Sequence, residues 1–305
     1  MIKGLKITLN LVIFVLIISF VWYIVASVNQ NSATVAGNAG EADNLFQSPC
    51  TLVSSFELSE EINRFDLYEN RLFIQTEQSL YVYDTEGNPL NSFTVEPNVR
   101  DVAAIEKDIY LLYPAQIKVY SMEGVLIRHW EACSKQSDYC SIAVAKDAVF
   151  VTDAGDKNVC KYTIEGDLVK FLRSPLGFVI PSYAFDIDCF DNTVYCVNSG
   201  RHLIETYSIN GNFIGTLGKA GSEAGSFAGC CNPAYISFTP EGTLLTSEKG
   251  NPRISSFDRD GKFKNILLNS EMLGSGNKAC EVKATDDKLY VAAKKKILIY
   301  FRLAI

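Results

Sequence analysis

Histidine is nearly missing from this chain: His129 and His202 are the two it has in 305 residues. That scarcity excludes a histidine-rich zinc centre and leaves little for histidine-based acid–base catalysis. Positive charge is short as well, with 28 Lys and Arg against 35 Asp and Glu and a formal net charge of −7, which excludes a protein that tracks nucleic-acid phosphates. No HExxH or CxxCH occurs. Gly218, Gly221 and Gly225 do not follow a strand into a helix, and GSEAG carries Glu where a nucleophile elbow needs Ser, so nucleotide-loop and serine-hydrolase readings fail. Disorder is excluded too, because 48% of the residues are hydrophobic and can form a substantial core.

What is present begins with an apolar run. Residues 7–26, ITLNLVIFVLIISFVWYIVA, follow Lys3 and Lys6, and no Asp, Glu, Lys or Arg occurs again until Glu41. At a rise of about 1.5 Å per residue such a helix spans a hydrocarbon core of about 30 Å. The basic residues before it place the N-terminus (1–6) in the cytoplasm and the body outside, with 7–27 as a single-pass anchor and Trp22 and Tyr23 near the outer interface. A cleaved signal peptide is the competing reading, against which stands a run longer than an ordinary signal core. Residues 28–48 are small and polar and read as a tether. An exported chain without any Asn-x-Ser/Thr site suggests a bacterial source, which makes the outer compartment a periplasm if the cell is Gram-negative.

Residues 49–305 contain internal repeats of a short apolar strand, a turn, a second strand, a strand ending in an aromatic, and a glycine turn into a fourth strand. The turn glycines are Gly87, Gly124, Gly166, Gly211 and Gly261, at intervals of 37, 42, 45 and 50. That period is one four-stranded propeller blade. A sixth unit starts at Cys280 and stops after three strands. TLVSSFEL, Thr51–Leu58, stands alone ahead of the first repeat and has the alternation to supply the missing strand. The expectation is an all-β, six-bladed propeller closed by an N-terminal strand, preceded by one transmembrane helix.

VTDAGDKNVCKYTIEGDLV and LTSEKGNPRISSFDRDGKF carry an acidic residue ending the second strand (Asp153, Glu248), Asn158 or Arg253 opening the third, an aromatic (Tyr162, Phe257) and the turn glycine. In these features the chain resembles the NHL-repeat β-propellers, clearly over 141–265 and more weakly elsewhere. GCCNP followed by SEKGNPRI looks like a bacterial subgroup of that family. The resemblance implies six blades and a binding face, and no single activity.

Nine cysteines suit an oxidising compartment. Cys133 and Cys140 bracket a short loop and are candidates for a disulfide; Cys189 and Cys196 lie on adjacent strands and form a second candidate pair if the register permits. Cys160, Cys189 and Cys196 read equally as small core residues. Aligning Val144, Ile236 and Val282 brings Cys140, Cys231 and Cys280 to one inner end of three blades. With Cys230 and Asn232 they are candidates for a ligand site at the channel mouth, either a soft-metal or redox centre or disulfides pinning loops.

Asp66, Asp101, Asp186 and Glu281 recur before the central apolar residue of the first strand, with Ala143 and Tyr235 in the other two blades. They either hold Ca²⁺ in the channel or accept hydrogen bonds from neighbouring backbone amides. Asp153 with Asn158, and Glu248 with Arg253, recur at one repeat position and read as loop-closing bonds. His202 reads as a loop residue, and Lys294, Lys295 and Lys296 as a solvated turn or a contact for anionic lipid. The combination of anchor, tether and rigid ring points to a membrane-tethered module that binds a protein, peptide or glycan. The alternative is a Ca²⁺-dependent hydrolase or lyase acting in the channel.

Overall fold

The computed structural model describes residues 48–302; of the N-terminus (1–6), anchor (7–27) and tether (28–48) expected ahead of the body, Ser48 alone lies among them. Among the described residues no helix is long and apolar enough to cross a membrane. Twenty-four strands among the described residues form six four-stranded antiparallel sheets. Five sheets are built from consecutive strands. In the sixth, Cys50–Glu57 pairs antiparallel with Lys296–Arg302 outside the three C-terminal strands. This is the closing strand expected over Thr51–Leu58, starting one residue earlier; Leu58 lies beyond it, buried and bonded through its N–H to Lys295 O.

The innermost strands are Arg64–Tyr68, Asp101–Ile105, Tyr139–Ala145, Ile187–Phe190, Tyr235–Phe238 and Glu281–Ala284. Each packs against the next, and the sixth packs against the first, so the ring is closed. Burial is graded across a blade: second strands such as Asp108–Tyr113 are wholly buried, whereas outer strands such as Leu126–Glu131 are largely exposed. Second strands therefore read as continuous apolar runs, because both faces meet a neighbouring sheet.

The repeated aromatic and glycine have one structural task. Between the third and outer strands the register slips immediately before Tyr83, Tyr120, Tyr162, Tyr207 and Phe257. The turn that follows places its glycine at positive φ, +88° at Gly87 and +102° at Gly166. A β-carbon on Gly87 would stand 2.7 Å from the Phe56 ring of the closing strand, and one on Gly166 would stand 2.8 Å from Trp130 of the preceding blade. The glycine thus sets a backbone turn and a close blade-to-blade contact together.

Candidate functional site: the channel and its mouth

Six equivalent first-layer positions on the inner strands are Arg64, Asp101, Ser141, Asp186, Tyr235 and Glu281, each followed by a core residue (Phe65, Val102, Ile142, Ile187, Ile236, Val282). Arg64 comes from the first blade and reaches all five others. Its Nε donates to Asp101 Oδ1 at 2.8 Å and lies 3.6 Å from Glu281 Oε1; its Nη2 donates to Asp186 Oδ1 at 3.0 Å and to Ser141 Oγ at 3.3 Å. The guanidinium carbon sits 4.8 Å from the centre of the Tyr235 ring.

The second oxygen of each acid stitches neighbouring blades. Asp101 Oδ2 accepts from Ile142 N, Asp186 Oδ2 from Ile236 N and Glu281 Oε2 from Phe65 N. One layer deeper, Asp66 Oδ2 accepts from Ala104 N and Oδ1 pairs with Lys283 Nζ at 3.1 Å. The backbone-amide alternative accounts for these contacts, and the register corrects the alignment from which they were expected. Phe65 and Ile142, not Leu67 and Val144, are the residues equivalent to Ile236, so Arg64 occupies the layer assigned to Asp66, and Ser141 the layer assigned to Ala143. A slip of two residues leaves inward and outward faces unchanged, so alternation alone does not reveal it.

Among the described residues no three of these carboxylates bring oxygens within 4.8 Å of one another, because Arg64 stands between them. Burial opposes ionisation of Asp101, yet Arg64, Ser141 and the Ile142 amide hold its carboxyl below the usual range. Desolvation prevails at Glu281 and at Asp188, which lies near Lys283, and pushes both up to about 7. Arg64 and Lys283 are the two cations set among the five carboxylates of Asp66, Asp101, Asp186, Asp188 and Glu281.

Above Arg64 the channel opens into a cavity of about 390 Å³. Its floor is Arg64, Asp186 and Tyr235, and its rim carries Arg100, Tyr183, Lys249 and Lys278. Arg100 lies over the Tyr183 ring and 3.5 Å from Asp138. Among the described residues neither Lys249 nor Lys278 has a carboxylate within ion-pair distance. Ser182 and Tyr183, at φ of 59° and 56°, are consecutive non-glycine residues in the left-handed region, where strain gathers at ligand sites.

The cysteines separate. Cys140 lines the cavity, Cys280 is buried in the last blade near Cys50, and Ala234 holds the position equivalent to both, so Cys231 falls three residues outside the alignment that grouped it with them. Cys231 is buried beside the cavity-lining Ser182, with its sulfur 2.8 Å from that of exposed Cys230 and 3.7 Å from Ser182 Oγ. Burial opposes its ionisation, but Cys230, Ser182 and Lys249 together draw its thiol below the usual value. Asn232 clamps two loops by donating to Ala228 O and Lys249 O and accepting from Lys249 N.

Neither expected disulfide pair is brought together. Cys133 Sγ meets Cys160 Sγ at 3.4 Å, while Cys140 Sγ turns to Asp138 O, because strand alternation sends Tyr139 into the blade core and Cys140 to the channel side. Cys189 stands opposite Val194 and Cys196 opposite Ile187, a diagonal offset too long for a bridge. Glu248 and Arg253 close their loop at 2.6 Å; Asp153 instead accepts from the amides of Asp138, Gly155 and Asp156. His129 is exposed on an outer strand, His202 sits in a loop of the fourth blade, and Lys294–Lys296 form an exposed turn.

Several solved structures are similar to the chain. A catalytically inactive histidine-to-alanine virginiamycin B lyase from Staphylococcus aureus with quinupristin matches at 14% identity and a TM-score of 0.59, over 83% of this chain and all of that one. A streptogramin B lyase matches at 15% and 0.56 over 83% and 98%. The Pan2 WD40 domain of Neurospora crassa matches at 10% and 0.56 over 85% and 98%. At such identities the likeness shows the fold alone. No family model matches the chain, and no curated protein does. Fold and site together define the class as a six-bladed β-propeller whose channel floor is crossed by a buried ion-pair network.

Proposed function

We propose that the chain is a membrane-tethered binding propeller of NHL type, displayed outside the cytoplasm, whose channel mouth takes an anionic group carried by a protein, peptide or glycan. The carrying observation is the contrast between floor and rim. Arg64 and the floor carboxylates are engaged with one another, while Lys249 and Lys278 project at an open cavity without carboxylate partners in a chain of net charge −7. Lys249→Glu/Lys278→Glu in the full-length chain is expected to weaken binding of glutamate-rich peptides or uronic-acid oligosaccharides at least about tenfold, one 1.4 kcal/mol step in affinity, with neutral analogues unaffected. Equal binding by both proteins in titration calorimetry would refute the site.

The tether rests on residues 7–26 and on Lys3 and Lys6 before them. A reporter fused after Ile305 should be active only when exported, and the protein should stay with membranes through a high-salt wash. A soluble form beginning near Val28 would mean cleavage.

A second reading, a lyase, draws on the fold shared with the two streptogramin-directed enzymes. Against it, the inactive form of one of them lacks a histidine, and neither His129 nor His202 lines this cavity. Cleavage of quinupristin by the purified protein would favour it.

A further inference from the structure

The third blade holds a donor set that the channel does not use. Asp153 ends its second strand, Cys160 lies on its third, and Cys133 leans over both from the loop joining the second and third blades. One ligand atom from each lies within 4.8 Å of the others, and the two sulfurs are 3.4 Å apart. Asp153 is fully buried. Its Oδ1 is held by three backbone amides, and its Oδ2 has no hydrogen-bond partner among the described residues. A carboxylate oxygen left unpaired in a blade core is costly, and Cys133 and Cys160 place their sulfurs within 4.8 Å of an Asp153 carboxylate oxygen. Tyr139 closes the far side, its hydroxyl 3.8 Å from Cys133 Sγ and 2.5 Å from Tyr162 Oη.

We propose that Cys133, Asp153 and Cys160 form a zinc site. Zn–S bonds of about 2.3 Å at a tetrahedral angle put sulfurs about 3.8 Å apart, close to the spacing here. Two sulfurs and one oxygen suit a borderline ion such as Zn²⁺ and not Ca²⁺ or Mg²⁺. Binding exchanges two thiol protons for two Zn–S bonds, with Asp153 Oδ2 as third ligand and water or the Ser137 hydroxyl as fourth; no electron transfer is involved. The site would clasp the loop that ends at Asp138, the partner of Arg100, and so fix one side of the cavity rim.

Full-length protein, reduced and freed of metal, is titrated with Zn²⁺ against a chromophoric chelator and separately with Co²⁺. The expected results are one ion per chain, release of protons, and thiolate-to-cobalt charge-transfer absorption. Cys133→Ser, Cys160→Ser and Asp153→Asn are each expected to weaken Zn²⁺ binding more than about 100-fold, since loss of outer partners alone costs 10–100-fold. Cys230→Ser/Cys231→Ser should bind as the parent does. Circular dichroism checks each fold, and Cys133→Ser, at a partly exposed position, still decides the matter if the buried variants misfold. Absence of charge-transfer bands would overturn the proposal. So would bands that survive Cys133→Ser but vanish with Cys230→Ser/Cys231→Ser, or a Cys133–Cys160 disulfide whose reduction yields no zinc affinity.

Discussion

Removal of Cys50–Glu57 is expected to abolish the cooperative thermal transition, whereas removal of residues 28–46 leaves the melting temperature unchanged. The closing strand makes seven register pairs with the last strand of the chain, from Cys50 opposite Arg302 to Glu57 opposite Lys296. Its Phe56 ring also stacks on Tyr83 of the first blade, with centres 4.7 Å apart. Without it the sixth sheet has an open edge and the first blade loses a neighbour, a loss of at least about 5 kcal/mol, the order of a domain's whole net stability. Retention of Ser48 in the second deletion preserves its bond to Leu267 O. Similar calorimetric transitions for the two deletions would refute closure as the source of stability.

Arg64→Met should destabilise the propeller by about 3–5 kcal/mol at neutral pH, because removing one partner leaves buried carboxylates without their counter-charge. The pH dependence carries the sign. In the parent chain Asp101 lies below its unfolded value, so its contribution is present above the usual carboxylate range and is lost only on acidification. In the variant Asp101 and Glu281 lose the guanidinium and rise, and such groups destabilise the fold as pH climbs through their folded values. The gap in denaturation free energy between the two proteins should therefore be widest above pH 7 and narrow toward pH 4. A gap that is constant with pH would mean that Arg64 acts by packing alone.

Blade number and ring closure were legible because both follow from local pattern. Glycine at positive φ is required wherever a tight turn meets a neighbouring blade, so it recurs, and TLVSSFEL is conspicuous as a strand with no local partner. The acid positions were legible as a recurrence, but the residue that organises them was not. Arg64 occurs once, in one blade, and its five partners are 37 to 217 positions away in the chain. Repeat comparison finds what is repeated, and a hub shared by six blades is by construction a singular residue.

The cysteines make the same division from the other side. Their number could be read from composition, but proximity along the chain paired Cys133 with Cys140, whereas in space it meets Cys160, 27 residues on. From sequence alone came the strand periodicity, the glycine turns, the closing strand and the acidic character of the inner strands, because each depends on interactions within a blade or on composition. Tertiary structure alone decided which layer each acid occupies, that a guanidinium lies among them, which sulfurs meet, and that Lys249 and Lys278 share one open rim. Those relations arise between blades, where a two-residue slip preserves every inward and outward face and only the packed ring selects the register.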